Sequence, residues 1–377
     1  MSLLNNSQGL TNSHKAHNSL LWRLHIDTTL LLGLLALMGF SLIVIYSAGG
    51  ESIGLIKRQA LRLGAGLFVM LIMAQISPMT LKKWAPLVYI IGIGFLLAVL
   101  LFGESSKGAQ RWINIGVRFQ PSEIMKLAVP LMVAWYFADK PLPPTIKQLA
   151  IGFTLVVVPT VLIMKQPDLG TSLLIAASGL FIIFFAGIRW RYIAGAVAAA
   201  LVLAPIMWFF GMHEYQKVRV LTFLNPERDP LGDGYHIIQS QIAIGSGGVY
   251  GKGWLNGTQS QLEFLPERHT DFIFAVLGEE FGLTGILILL ALYLFVIGRG
   301  IYISLQGQDT FSRLLGAALT LTFFVYLFVN IGMVSGLLPV VGLPLPLISY
   351  GGTSIVTLMA GFGILMSIQT HRRLHST

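Results

Sequence analysis

The stretch DFIFAVLGEEFGLTGILILLALYLFVIG at residues 271–298 decides the fold. It is mostly apolar and exceeds the about 20 residues that a helix needs to cross a hydrocarbon core of about 30 Å. Its first residue is Asp271, and Glu279 and Glu280 follow within the same segment. An acid at the centre of a membrane helix costs roughly 2.5–3.5 kcal/mol, and less near the interface. The three acids therefore predict a membrane helix that faces a polar cavity inside the protein rather than lipid.

Nine further apolar segments of similar length occur, so the sequence predicts an all-α integral membrane protein with about ten transmembrane helices. The ten segments lie at 28–48, 60–76, 84–102, 121–138, 148–164, 171–187, 191–210, 271–298, 311–337 and 351–369. Composition supports this class, because only 11% of the residues are charged, against about 25% in soluble domains. Because the chain has no cysteine, disulfides and thiolate metal sites are excluded.

The apolar segments predict one membrane domain at residues 25–370, flanked by polar tails at 1–24 and 371–377. The N-terminal tail lacks a small-residue cleavage site behind the first apolar run, which is therefore predicted to be an anchor rather than a cleaved signal. A long loop, residues 211–269, separates the seventh and eighth helices and is rich in glycine and polar residues.

Ten spans place both termini on one side of the membrane. Twelve lysine and arginine residues fall on that side and seven in the short loops opposite, which predicts cytoplasmic termini and an extracytoplasmic long loop. The seven basic residues on the unfavoured side are exceptions that a functional role would explain: Lys57, Arg58, Arg62, Lys107, Arg111, Arg118 and Lys165. The net charge of +9 fits topology signals and contacts with anionic membrane lipids. Nucleic acid is not predicted as a partner, because no basic run or aromatic RNA motif occurs.

Asp271 is the candidate catalytic residue, because an acid at the membrane face beneath a polar loop indicates chemistry on a lipid-borne substrate. One alternative is that Thr270 or Asp271 only caps the helix. Metal ligation by Asp271 is a weaker alternative, because no second acid stands nearby at D-x-D spacing.

Charged residues near the start of the fourth helix are a second candidate group. Glu123 and Lys126 lie three residues apart in QPSEIMK, residues 120–126, and can form an ion pair on one helix face. That pair is either structural, or Lys126 acts with Arg111 on a bound pyrophosphate, since arginine offers a bidentate fork and lysine a point charge.

Two other motifs leave alternatives open. Asp168, in KQPDLGTS at residues 165–172, either caps the sixth helix or contributes to a polar cavity shared with Asp271. The run GSGGVYGKG at residues 245–253 is either a flexible turn or a nest of backbone amides for phosphate, although its spacing is not that of a Walker loop. Residues 236–244 have helical apolar spacing and are predicted to lie along the membrane interface.

Residues 330–354 contain three prolines and paired glycines. They cannot form one straight helix, so a re-entrant or broken segment buried in protein is predicted. Its role is either structural or that of a lining for a lipid tail.

Four motifs together resemble the SEDS family, whose members shape, elongate and divide bacterial cells. They are QPSEIMK, KQPDLGTS, FLPERHTDFIFAV at residues 264–276 and LPVVGLPLPLISYGGTS at residues 338–354. The resemblance spans the fourth to tenth helices and is greatest to the elongation member. It implies a peptidoglycan glycosyltransferase of the bacterial inner membrane that polymerises lipid II. It also implies a class B penicillin-binding protein (a transpeptidase) and other cell-elongation proteins as partners, and a divalent cation, Mg²⁺ or Mn²⁺, whose ligands stay unknown.

Asp271 matches the family's catalytic acid. It would act as the general base of an inverting displacement of undecaprenyl pyrophosphate, which gives β-1,4-linked strands for elongation and rod shape. The substrate-binding candidates are Arg111, Glu123, Lys126, Asp168, Lys252, Gln259 and His269. Two rival functions are a lipid II flippase, which needs a polar path across the bilayer, and a non-catalytic scaffold that only activates its partner.

Overall fold

A computed structural model describes residues 24–106, 109–114, 118–212, 214–228, 232–262, 264–265 and 267–371. The predicted tails at 1–24 and 371–377 lie outside these ranges apart from Leu24 and His371. All ten predicted spans are present as helices. In chain order the elements are α1 (Thr28–Ala48), α2 (Ile53–Gln75), α3 (Pro78–Phe102), β1 (Glu104–Ser106), β2 (Ala109–Asn114), β3 (Arg118–Phe119), α4 (Pro121–Ala138), α5 (Ile146–Met164), α6 (Leu169–Phe185), α7 (Trp190–Ile206, continuing as a π-helix over Met207–Gly211), α8 (Glu214–Leu224), α9 (Asp233–Gly247), α10 (Thr258–Gln261), α11 (Ile273–Leu305), α12 (Thr310–Val334) and α13 (Thr353–Thr370).

Seven of the described helices, α1, α3, α5, α7, α11, α12 and α13, are long and apolar enough to cross a membrane, and α6 is apolar but shorter. The all-α membrane prediction is therefore confirmed. Helices α2 and α3 begin earlier than predicted, because basic residues interrupt their apolar runs without breaking the helices. Ser52 and Ser77 cap these two helices, their side chains accepting from the amides of Leu55 and Thr80.

The ten long helices alternate in direction, which gives the bundle two ends. At the terminal end, the His25 and His371 rings, near the first and last described residues, stack with centroids 3.9 Å apart. The loop end carries the connection from α7 to α11 and the connection from α12 to α13. All the candidate functional residues lie in connections at the loop end or in the helices that adjoin them.

Three short strands between α3 and α4 were not predicted. They form an antiparallel sheet in the order β1-β2-β3, in which Ser106 pairs with Ala109 and Asn114 pairs with Arg118. The strands are too short for a periodic pattern to stand out from the surrounding polar residues. They carry Arg111 toward the start of α6.

Helices α2 and α13 approach each other closely through glycine. A Cβ placed on Gly363 would lie 2.4 Å from the Met70 carbonyl oxygen, and one on Gly66 would lie 3.0 Å from Met359. Small residues permit this approach where the surrounding lipid supplies no hydrophobic drive for helix association. The packing places the first turns of α2 beside the start of α13.

Helix α11 is broken at Gly282, where φ is 63° and ψ is −159°. A break frees backbone groups that need partners inside a membrane protein, and the glycine-rich segment after α9 supplies them. The bonds run from Lys252 N to Glu279 O (3.0 Å), Gly253 N to Glu280 O (3.0 Å), Leu283 N to Gly248 O (3.0 Å) and Thr284 N to Val249 O (3.1 Å).

The glycine-rich run is therefore packed into the break of α11. Its segment is not a flexible turn, because four backbone hydrogen bonds hold it in the break of α11. The amides of Lys252 and Gly253 already donate to carbonyl oxygens, so these two amides are not available to a phosphate. Glycine is required for close approach: a Cβ on Gly247 would lie 2.0 Å from the Gly278 oxygen.

Gly251→Ala is expected to destabilise the protein by roughly 1–3 kcal/mol. The new Cβ would lie 2.1 Å from the Glu280 carbonyl oxygen, and the residue has a φ of +77° that L side chains rarely adopt. Thermal unfolding in detergent measures the effect. Gly245→Ala is the matched control, because a Cβ there has no neighbour within 4 Å and alanine favours the α9 helix. Equal unfolding midpoints for the two variants would contradict the proposed packing.

The predicted helix at residues 236–244 lies within α9, and it packs onto α11 and α12. Ser240 Oγ donates to the Val334 carbonyl at 2.7 Å, and the His236 ring stacks on Phe272 at 5.5 Å. Helix α9 therefore covers the turn that precedes α11.

The connection from α12 to α13, residues 335–352, contains no helix, which confirms the predicted broken segment. Its middle is buried, with Leu345, Leu347 and Ile348 at most 1% exposed. Tyr293 Oη donates to the Pro346 carbonyl at 2.5 Å, and Ser41 Oγ donates to the Ile348 carbonyl at 2.9 Å. These bonds satisfy the irregular backbone inside the protein, as a membrane environment requires.

Candidate functional site

Asp271 lies in the turn before α11, two residues before its first helical residue. Phe272 occupies the cap position and makes no side-chain capping bond, and Thr270 Oγ1 donates to Glu267 instead. Phe272, rather than Thr270 or Asp271, is therefore the N-cap residue of α11. Asp271 is half-buried, and its Oδ2 lies 3.5 Å from the position of a Cβ on Gly342.

The backbone around Asp271 is held at three consecutive carbonyl groups. Asn330 Nδ2 donates to the Asp271 carbonyl at 2.9 Å, and Ser349 Oγ donates to the Thr270 carbonyl at 2.6 Å. The Tyr350 amide donates to the His269 carbonyl at 2.8 Å. Because all three donors belong to α12 or to the segment that follows it, that segment fixes the position of Asp271.

Asn330 joins both sides of this contact. Its Nδ2 also donates to the Leu343 carbonyl at 2.7 Å, and the residue is fully buried. Sequence reasoning quoted Asn330 only as the start of a proline-rich stretch. Its role could not be found from spacing, since its partners lie elsewhere in the chain.

His269 packs against Tyr350, with the rings edge to face and their centroids 5.7 Å apart. Burial lowers the pKa of His269, and Arg268 lowers it further while Glu267 opposes the shift. The ring is therefore neutral at pH 7, so it adds no positive charge beside Asp271.

Asp168 fulfils the predicted capping role and has a second set of contacts. Its Oδ1 accepts from the Thr171 amide at 3.2 Å, which caps α6. Its Oδ2 accepts from Gln120 at 3.1 Å and lies 3.9 Å from Arg111 Nε. Arg111 also donates to the Pro167 carbonyl. Arg111 is therefore bound to the start of α6.

The start of α6 and Asp271 lie on two sides of the same connection. A Cβ on Gly170 would lie 2.8 Å from the Val341 carbonyl, and Gly342, the next residue, faces Asp271. The structure thus brings Asp168 and Asp271 to neighbouring places, but backbone separates them.

Glu123 and Lys126 form the predicted ion pair at 2.7 Å. Each residue is 7% exposed, and Lys126 Nζ lies 5.2 Å from the centre of the Tyr326 ring. The predicted pairing is therefore present, and it is buried. A contact with substrate stays a prediction.

Lys252 and Gln259 bind Glu279. Lys252 Nζ and the Gln259 amide lie 2.7 and 2.9 Å from Glu279 Oε1, and Ser47 Oγ donates to Glu280. Glu279 and Glu280 are at most 1% exposed, which confirms that they face protein rather than lipid. Polar groups of the long loop contact Glu279 inside the protein.

A metal site built by the protein alone does not fit the part of the chain that the structure describes. There, no three histidine, aspartate or glutamate residues come close enough to hold an ion. Two of the other candidate acids have protein partners, since Asp168 caps α6 and Glu279 binds Lys252.

Comparison with known proteins agrees with this arrangement. The cell cycle protein family model for FtsW, RodA and SpoVE matches residues 19–374. The chain is 59% identical over 355 residues to the peptidoglycan glycosyltransferase MrdB of Escherichia coli K12, covering 94% of this chain and 96% of that protein. It is 36% identical over 366 residues to a probable peptidoglycan glycosyltransferase FtsW of Geobacter metallireducens, covering 92% and 95%.

Two solved structures share the fold. A chain of a peptidoglycan synthase complex that coordinates polymerization and crosslinking matches with a TM-score of 0.80 and 30% identity, covering 91% of this chain and 97% of that chain. The rod shape determining protein RodA of Thermus thermophilus matches with a TM-score of 0.69 and 26% identity, covering 91% and 96%.

Proposed function

Because this chain belongs to the FtsW, RodA and SpoVE family of cell cycle proteins, we propose that it polymerises lipid II into β-1,4-linked glycan strands. Its enzyme class is that of a peptidoglycan glycosyltransferase. The greater identity to MrdB than to FtsW of Geobacter metallireducens, 59% against 36%, supports a role in elongation and rod shape. The observation that carries the proposed chemistry is the fixed carboxylate of Asp271 at the loop end.

In this proposal Asp271 is the general base. Its carboxylate accepts the proton from the 4-hydroxyl of the acceptor sugar as that oxygen bonds to the anomeric carbon of the donor. The bond from that carbon to the pyrophosphate oxygen breaks, and the pyrophosphate leaves with the electron pair. One base suffices for such an inversion, whereas retention needs a second nucleophile.

The positioning of Asp271 supports this role. Proximity and orientation contribute much of enzymatic rate enhancement, and the carbonyl groups of residues 269–271 are all hydrogen-bonded. The adjoining amino end of α11 carries a partial positive charge that favours an ionised acid nearby. A general base has to be in that ionised form to accept a proton.

A divalent cation, Mg²⁺ or Mn²⁺, stays part of the proposal. Mg²⁺ commonly binds through one or two carboxylates together with substrate phosphates. Such an ion would therefore arrive with the pyrophosphate of the substrate and neutralise part of its charge.

The proposed cellular setting follows from the relatives. The chain is a multi-pass inner-membrane protein, and we place both termini in the cytoplasm and the loop end outside. The similar chain in a peptidoglycan synthase complex supports a penicillin-binding protein as partner. Membrane lipids and other cell-elongation proteins complete the proposed set of contacts.

Reconstitution separates the polymerase from its two rivals. Full-length protein in liposomes with fluorescent lipid II and Mg²⁺, with its partner transpeptidase added or omitted, is expected to yield glycan polymer on a gel. A flippase would move lipid II across the bilayer without making polymer. A scaffold would yield no polymer when the added partner cannot itself synthesise glycan. Either of those outcomes would overturn the proposed function.

A further inference from the structure

Arg62, on the third turn of α2, has hydrogen-bond donors without a partner in the part of the chain that the structure describes. Its guanidinium lies over the face of Tyr350, with Cζ 4.0 Å from the ring centre, and the residue is half-buried. Within the described ranges, no residue accepts a hydrogen bond from Arg62, and no carboxylate lies within ion-pair distance of it. Five N–H donors on a permanent charge are thus left without protein partners at the loop end.

The other candidate cations at this end are already paired. Lys126 binds Glu123 and Lys252 binds Glu279, each at 2.7 Å. Arg111 donates to the Pro167 carbonyl and lies beside Asp168. Arg62 is therefore better placed than these three to receive a new anion.

The surroundings of Arg62 are themselves positive. A Cβ on Gly352 would lie 3.4 Å from Arg62 Nε, and Gly352 is the cap residue of α13, which has no side-chain cap. A helix amino end carries about half a positive charge. A guanidinium beside it is unfavourable until an anion binds both.

A buried amide adds a second unmet group on the same helix. Gln59 lies three residues before Arg62, hence on the same face of α2, and it is fully buried. Its Nε2 donates to the Ser349 carbonyl at 3.3 Å, while its Oε1 has no hydrogen-bond partner. Gln59 thus offers a hydrogen-bond acceptor without a donor, on the same helix face as the Arg62 cation. Together they suit a ligand with both hydrogen-bond donors and negative charge, such as a sugar pyrophosphate.

The position of Arg62 relative to Asp271 suits a leaving group. The Arg62 guanidinium lies over the Tyr350 ring, and the Tyr350 amide donates to the His269 carbonyl. His269 lies two residues before Asp271. In an inverting displacement the base and the leaving group lie on opposite faces of the anomeric carbon. The two carboxyl groups of inverting glycosidases are accordingly roughly 6.5–9.5 Å apart. In this structure one aromatic residue, Tyr350, links Arg62 to the turn that carries Asp271.

We propose that Arg62, Tyr350 and the amino end of α13 bind the pyrophosphate of the lipid-linked donor. Arg62 takes up the negative charge that develops as the bond from the anomeric carbon to oxygen breaks. This inference rests on the proposed function and names the group that stabilises its leaving pyrophosphate. It also accounts for a basic residue on the side of the membrane where the charge rule disfavours one.

Binding of a polyprenyl pyrophosphate to full-length protein in phosphatidylcholine nanodiscs tests the proposal. Arg62→Gln is expected to weaken binding roughly 10- to 100-fold, the effect of losing charged hydrogen bonds. Arg62→Lys should lose less, because it keeps the charge but not the bidentate fork. Arg58→Gln is the matched control: the same change at an exposed site one turn earlier on α2 should leave binding within twofold.

Two further arms make the result decisive. Adding phosphatidylglycerol should not displace the pyrophosphate; full displacement would mean that Arg62 binds membrane lipid instead. Asp271→Asn should bind the pyrophosphate at least as tightly as wild type, because it removes a negative charge that repels the ligand. Wild-type affinity in Arg62→Gln would overturn this inference and leave the polymerase intact. Polymer formation by Asp271→Asn would overturn the proposed mechanism and leave the binding result intact.

Discussion

Asp271→Asn is expected to lose polymerisation of lipid II by about 10²–10⁴-fold, the range that general base catalysis contributes. The amide has the same shape as the carboxylate but cannot accept the proton from the acceptor hydroxyl. The three backbone carbonyls that hold this turn accept bonds from Asn330, Ser349 and Tyr350. The substitution leaves those bonds in place, so the variant should fold. Single-turnover rates with purified protein and labelled lipid II measure the loss.

Asp139→Asn is the matched control for this substitution. This substitution removes the same charge, but at the terminal end of the bundle. The Asp139 side chain is 76% exposed there and pairs with Lys82. A surface pair of this kind contributes at most about 1 kcal/mol, so this variant should polymerise like wild type. An Asp271→Asn protein that works at the rate of the Asp139→Asn control would rule out the proton transfer.

Lys126→Met is expected to destabilise the protein by about 3–5 kcal/mol, because it leaves the buried charge of Glu123 without its partner. Both residues are 7% exposed, and Glu123 Oε2 has no hydrogen-bond partner even in the intact pair. No other described residue forms an ion pair with Glu123. The midpoint of denaturation in detergent, compared with wild type, measures the loss.

The double variant Glu123→Leu with Lys126→Met separates a structural pair from a binding pair. Replacing both charges with apolar groups of similar volume is often neutral or stabilising, so this protein should regain wild-type stability. If it also polymerises lipid II, the pair serves only the fold. If it is stable and inactive, at least one residue of the pair contacts substrate. A Lys126→Met single variant as stable as wild type would contradict the burial of the pair.

The helices could be predicted because each depends on neighbouring residues. Ten apolar runs, the Glu123–Lys126 spacing and the position of Asp168 before a helix all rest on local geometry, and the structure contains each of them. The predicted helix boundaries were wrong where a charged residue lies within a helix rather than at its end. Helix α11 runs to Leu305 rather than residue 298, because Arg299 binds Asp27 at 2.6 Å and need not end the span.

The arrangement around Asp271 could be predicted only in part. The acid itself stood out because a carboxylate is costly at a membrane helix. Its setting depends on contacts between distant residues: Asn330 reaches Asp271, and Arg62 reaches Tyr350. A single sequence contains no spacing that links such residues. The break at Gly282 was hidden for the same reason, since the segment that completes it belongs to another part of the chain.

The most direct test of the central claim is the pH dependence of the single-turnover rate for wild type and Asp271→Asn. A general base works only when ionised, so the wild-type rate should fall on the acid side in proportion to the ionised fraction of Asp271. The variant has no carboxylate to protonate there, so its residual rate should be flat across the same pH range. The same acid-side decline in both proteins would assign that ionisation to another group and contradict the account.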